Sequence, residues 1–147
     1  MGVTTTTATH PPTVMRIGID PGVNTGVAVT RRGVFVAIDT VTILEAMDRV
    51  LTIARGEPTK VWWEDARLRT WFGTKGREAL QGAGSIKRDC GMWEEFFARH
   101  AIDNTPIAPA GNSTKLKAEE FRKLTGWQGR CNEHGRDAAM LIAGRGV

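Results

Sequence analysis

Apolar and polar residues alternate from position 14 to position 20, so Ile17 and Ile19 point to one side while Gly18 and Asp20 point to the other. That pattern predicts a strand with Asp20 at its C-terminal end. Pro21-Gly22-Val23-Asn24-Thr25-Gly26 reads as a turn. Residues 27–30 and 34–39 read as two further strands joined by the tight Arg31-Arg32-Gly33 connection, which makes the opening an antiparallel meander. The period then lengthens. Ile43, Met47, Val50, Leu51 and Ala54 predict a helix over 43–55, ended by Gly56 and Pro58.

Val61-Trp62-Trp63 predicts a short strand over 60–64, with Glu64 at its end. A long helix is expected over 75–99, although Gly82, Gly84 and Gly91 each weaken it by about 1 kcal/mol relative to alanine. Residues 102–108 suit a fifth strand and 118–125 a helix, and Asn132 suits the cap of a last helix reaching residue 143. A meander followed by strand–helix alternation predicts an α/β fold, a mixed five-stranded sheet with helices on both faces. Trp62 and Trp63 are then core residues of a central strand, and Trp93 belongs to the core or to an interface.

Composition sets bounds on this picture. With 147 residues, 41% hydrophobic and 24% charged, the chain suits one ordinary soluble domain, placed over 14–147. The Thr-rich stretch 1–13 holds no Lys, Arg, Asp or Glu and is expected to be a flexible N-terminal extension. It lacks the basic start and apolar centre of a secretory signal. No apolar run approaches the roughly 18 residues of a membrane span, so no membrane association is expected. Two cysteines, Cys90 and Cys131, suit free thiols in a reducing, cytoplasmic compartment. Cys131 and His134 form a C-x-x-H pair, but the second ligand pair of a structural zinc site is missing. A net charge of +4 suits a phosphate-rich partner without requiring one.

The chemistry lies in how the acids are placed. Asp20 and Glu64 end two strands, and if those strands are parallel neighbours the two carboxylates meet at one edge of the sheet. His134 and Asp137, three apart on the last helix, share a face, and the small Ala138 lets that face approach the sheet. Magnesium prefers such oxygen ligands. Without a cation, packed carboxylates repel one another and their pKa values rise. Each residue also has an ordinary reading: a turn initiator for Asp20, a surface acid for Glu64, a solvated first helical turn for His134 and Asp137.

The residues also resemble a family. Ile17-Gly18-Ile19-Asp20-Pro21-Gly22 with Thr25-Gly26, then Glu64, Leu80-Gln81-Gly82-Ala83-Gly84 and His134-Gly135-Arg136-Asp137-Ala138-Ala139 look like the ordered motifs of RuvC-type Holliday junction resolvases. The likeness runs from residue 15 to residue 143. The short length and the segment from Thr125-Gly126-Trp127 to Asn132-Glu133-His134 look more like the phage-encoded branch than the bacterial housekeeping one. A phage origin would place the protein in the bacterial host's cytoplasm.

The resemblance implies an RNase H-like fold, a homodimer acting on four-way DNA junctions, and two Mg²⁺ or Mn²⁺ ions per active site. Asp20 would be the ligand shared by both ions, flanked by Glu64 and Asp137, with His134 fourth and Glu133 its rival. Lys115 would contact the scissile phosphate, with Lys117 as the alternative. Arg67, Arg69, Trp71, Phe72 and Lys75 interleave cations and aromatics just after Glu64, which suits a loop touching phosphates and stacking on bases. Here Arg67 stands where the family carries a wedge aromatic, and Trp71 and Phe72 come later. Both of these equally suit core contacts at a helix cap. The family's two-fold interface lies on the helix holding Gly82 and Gly84.

The activity expected is symmetric nicking that leaves 5′-phosphates and 3′-hydroxyls. Alternatives are another nuclease of the same fold, acting on RNA–DNA hybrids or branched DNA, and a non-cutting junction-binding module. An ATP-binding kinase or chaperone-like fold shares the first hairpin but needs two such domains, more than 147 residues supply.

Overall fold

A computed structural model describes residues 13–68, 76–109 and 116–145, with the side chains of 76–83 excepted. The expected extension over residues 1–13 falls, but for Thr13, outside them. The strands are β1 (Met15–Asp20), β2 (Thr25–Arg31), β3 (Val34–Val41), β4 (Thr59–Glu64) and β5 (Asp103–Ile107). The helices are α1 (Ile43–Gly56), α2 (Gly76–Arg99), α3 (Ala118–Thr125) and α4 (Glu133–Ile142), with a 3₁₀ turn over Ala66–Leu68.

The sheet has the order β3-β2-β1-β4-β5. β1 pairs antiparallel with β2 and parallel with β4, and β5 is parallel to β4. The expected parallel neighbourhood of the Asp20 and Glu64 strands is therefore present. Arg32 (φ 53°) and Gly33 (φ 81°) are both left-handed, the backbone that a two-residue hairpin requires to match strand twist. Pro106, which has no N–H for a ladder, lies on the edge strand β5.

The period-two pattern divides the core into two layers. Ile17, Ile19, Val27, Val29, Val61 and Trp63 pack beneath α1 and α2, where Trp63, Trp93, Phe96 and Phe97 form an aromatic cluster with ring centroids 5.5–5.6 Å apart. On the opposite face Ala28, Ile38 and Trp62 pack against Phe121 of α3 and Ala138, Ala139 and Ile142 of α4. Helices thus cover both faces, as expected, and Trp93 is fully buried core. The turn expected over residues 21–26 is shorter than the sequence suggests. Thr25 and Gly26 already belong to β2, and the buried Thr25 hydroxyl donates to the Gly22 carbonyl at 2.7 Å. No helix is long and apolar enough to cross a membrane among the described residues.

Candidate active site

Alternation along β1 and β4 puts Gly18, Asp20, Trp62 and Glu64 on the face covered by α4. The β1–β4 register, with Ile19 opposite Trp63, brings Asp20 and Glu64 to the same edge of the sheet. α4 crosses above them unusually close. A Cβ on Gly18 would collide with the backbone carbonyl of Ala138, and a Cβ on Gly26 with that of His134. Two glycines on adjacent strands thus form a notch that seats the helix backbone directly on the sheet. The start of α4 is fixed separately: the Asn132 side chain caps it by accepting from Gly135 N–H at 3.1 Å, and the Thr40 hydroxyl of β3 donates to the same oxygen.

This seating delivers His134 and Asp137 to Asp20. His134 Nδ1 lies 3.4 Å from Asp20 Oδ2, a long contact. Asp20 is pushed up to about 7, first by burial and then by the negative charges of Glu64 and Asp137, while His134 pulls it down through hydrogen bonding and charge. The three acids and the imidazole singled out in the sequence therefore share one neighbourhood. Glu133, the rival fourth member, is exposed at the first position of α4, whereas His134 is the residue that meets Asp20.

No group of three or more His, Cys, Asp or Glu side chains among the described residues is arranged closely enough to hold a metal ion as it stands. The carboxylates are near enough to repel but are not gathered around one point. The donor set itself fits a hard divalent cation. It offers carboxylate oxygens and one imidazole, and its crowding makes Asp20 costly to ionise unless positive charge enters.

Of the residues expected to contact DNA, Arg69, Trp71, Phe72, Lys75 and Lys115 lie outside the described residues. Lys117 is exposed at the N-cap position of α3. Arg67 is drawn into the protein. Its guanidinium grips the buried Asp65 carboxylate with two hydrogen bonds of 2.9 and 2.8 Å and reaches Glu94 of α2 at 2.9 Å. The Asp65 carboxyl is consequently held below its usual range, chiefly by the Arg67 hydrogen bond. Because Asp65 N–H also donates to Ile107 at 2.9 Å, this ion pair fixes the chain immediately after Glu64 to both β5 and α2.

Sequence reasoning missed Asp65 and Glu94. The short-range signal was Asp65 two residues before Arg67, and Glu94 lies too far along the chain to be paired by spacing. It also missed Arg136, which donates to the Leu116 and Cys131 carbonyls at 3.2 and 3.0 Å and ties α4 to the segments around it.

Arg67→Ala leaves a buried carboxylate without its partner, a change expected to cost roughly 2–3 kcal/mol, below that for a fully buried pair because Arg67 is partly exposed. Asp65 is acidified in the fold, so this stability is present above its unfolded value of 3.8 and is lost as pH falls through the lower folded value. Thermal melts should show the deficit at pH 7 and its disappearance in acid. Arg67→Lys should restore only part, because the fork geometry is gone.

Fold and site together define a class: an α/β protein with an acidic, His-flanked cluster where parallel strands end beneath a closely seated helix. The chain is similar in structure to T. thermophilus RuvC, solved in complex with Holliday junction substrate. The TM-score is 0.56 at 17% identity, over 86% of this chain and 89% of that one. This likeness shows the RNase H-like fold. No family model and no curated protein matches the sequence.

Proposed function

We propose that the protein is a metal-dependent, structure-selective endonuclease of the RuvC type that resolves four-way DNA junctions by symmetric nicking. The observation that carries this reading is that Glu64, Asp137 and His134 stand close enough to a half-buried Asp20, at one sheet edge, to act on its ionisation. The fold is shared with a protein solved on a Holliday junction, which supports the substrate. The ordered motifs of the sequence support the RuvC type, and the segment from Thr125-Gly126-Trp127 to Asn132-Glu133-His134 supports the phage-encoded branch.

Asp20 sits centrally and would be shared between two divalent ions, Mg²⁺ or Mn²⁺, with Glu64 and Asp137 on the flanks and His134 as the fourth ligand. Such ions supply an activated water and stabilise the departing 3′-oxygen. The chain's own part is to hold four donors in place, and the glycine notch and the Asn132 cap do this from one side. The Asp65–Arg67–Glu94 triad does it from the other. Asp20 must release its proton for cations to bind, so metal affinity should climb with pH up to about 7. Lys115 and Lys117, with Arg69 and Lys75, would meet the DNA backbone, and Trp71 and Phe72 would stack on its bases.

A homodimer suits two cuts related by a two-fold axis. Residues 84–88 of α2 are all exposed, and a Cβ on Gly84 would meet open space, so nothing within the described residues covers that stretch of helix.

The test is a synthetic four-way junction incubated with Mg²⁺ and either the wild type or Asp20→Asn. Wild type should cut two opposed strands symmetrically, leaving ligatable nicks, and Asp20→Asn should bind without cutting. Equal cutting by both proteins would refute the carboxylate site. Cutting confined to linear duplex or RNA–DNA hybrid would retain the nuclease and reject the junction.

A further inference from the structure

A second feature lies beside this site. The end of β3, the C-terminal half of α3 and the segment leading into α4 enclose an open cleft of about 480 Å³, lined by Ile38, Asp39, Thr40, Arg122, Arg130, Cys131 and Asn132. Arg122 and Arg130 are both exposed, and among the described residues neither guanidinium has an ion-pair or hydrogen-bond partner. The acid on the cleft wall, Asp39, is already held by Arg49 at 2.6 Å. The cleft is therefore left with two uncompensated guanidinium groups, planar donors whose geometry matches phosphate oxygens.

Sheet register measures how far the cleft lies from the chemistry. Asp20 stands opposite Gly26, and Gly26 stands opposite Thr40, which lines the cleft. Two strand spacings of about 4.8 Å place the cleft roughly 10 Å from Asp20 at the backbone level. That separation is about three nucleotides of axial rise along one DNA strand at 3.4 Å each. Thr40 and Asn132 belong to both places, because the Thr40 hydroxyl bonds the Asn132 cap of the helix that presents His134.

We propose that this cleft is a phosphate-binding subsite in which Arg122 and Arg130 grip the nucleic-acid backbone a few nucleotides from the scissile bond. The proposal rests on the nuclease reading above and adds to it a specific anchor for one flanking strand. It predicts that both arginines contribute to binding and register and take no part in the bond-breaking step.

The experiment uses Arg122→Ala and Arg130→Ala in the full chain, with Arg55→Ala as control. Arg55 is an exposed cation in the last turn of α1, on the opposite face of the sheet. Affinity for a synthetic four-way junction is measured from 50 to 200 mM salt, on the Asp20→Asn background so that no cutting intervenes. Each cleft variant should lower the slope of log K against log salt by about 1, so that wild type's advantage shrinks about 3-fold across that range. In cleavage assays with Asp20 restored, KM should rise while kcat holds. Alkylation of the partly exposed Cys131 should be slowed by DNA in wild type and less so in the double variant.

A slope and KM indistinguishable from those of Arg55→Ala would overturn the subsite. So would inorganic phosphate raising the wild-type melting temperature, but not the double variant's, while the DNA slope stays unchanged: that result assigns a small-anion site. Failure of the nuclease reading looks different, with wild type making no metal-dependent cut although the cleft variants still lose salt dependence.

Discussion

Asp20→Asn is expected to abolish cleavage and, in the absence of divalent metal, to make the protein more stable at pH 8. The carboxyl of Asp20 titrates near 7 in the fold against 3.8 as its ordinary value, because burial and the charges of Glu64 and Asp137 oppose its ionisation. A raised acid binds an extra proton in the native state between those two values. Stability of the metal-free wild type should therefore fall as pH climbs from about 4 to about 7, then level off. A tenfold change in proton affinity amounts to about 1.4 kcal/mol, so after some screening by water the full effect is on the order of 3 kcal/mol. For a chain of this size that is roughly 5–10 °C in melting temperature.

Asparagine carries no charge to desolvate, so the variant should melt higher than wild type at pH 8 and equal it near pH 4. A hundredfold excess of Mg²⁺ over Kd should nearly close that gap at pH 8, because only the wild type gains from binding, by about 2.7 kcal/mol. Melts at pH 4, 6 and 8, with EDTA and with Mg²⁺, check all of this. A variant less stable than wild type at pH 8 in EDTA would show that the acids do not oppose one another as described.

Much of the sheet was legible because burial on one face at a time writes a period of two into the sequence. Ile17/Ile19 against Gly18/Asp20 separates the two layers, and the order of strands and helices made a parallel β1–β4 pair the natural arrangement. Local chemistry also read through: Asn132 caps α4, and His134 and Asp137 come from one helix to one carboxylate. What did not read through depends on contacts between distant segments. Arg67 sits among cations and aromatics and so resembled a DNA contact, yet its partners are a buried acid two residues away and a glutamate on α2, 27 positions on. Gly26 looked like a turn residue because glycine serves turns and close approaches equally well. Only the passage of α4 over β2 distinguishes the two.

That distinction gives Gly26→Ala the second large effect. The added methyl would occupy the space of the His134 carbonyl, with the Ala138 Cβ a further 3.2 Å contact. The main collision is with backbone, so no rotamer change relieves the clash and the helix itself must lift. Overpacking of a core ordinarily costs about 1–3 kcal/mol, and a backbone clash belongs at or above the top of that range. The melting temperature should drop by roughly 6–12 °C. The functional loss should exceed what that destabilisation explains. Lifting α4 moves His134 and Asp137 together away from Asp20, and a misplacement of about 1 Å in a catalytic constellation costs on the order of a hundredfold in rate. Cleavage measured at a temperature where the variant is still folded should therefore be lower by about that factor. Gly56→Ala supplies the control, since a Cβ there meets open space at the C-terminal end of α1, away from the site. If Gly26→Ala melts and cuts like wild type, the glycine notch does not position the site, and α4 must be held by its Asn132 cap and apolar face alone.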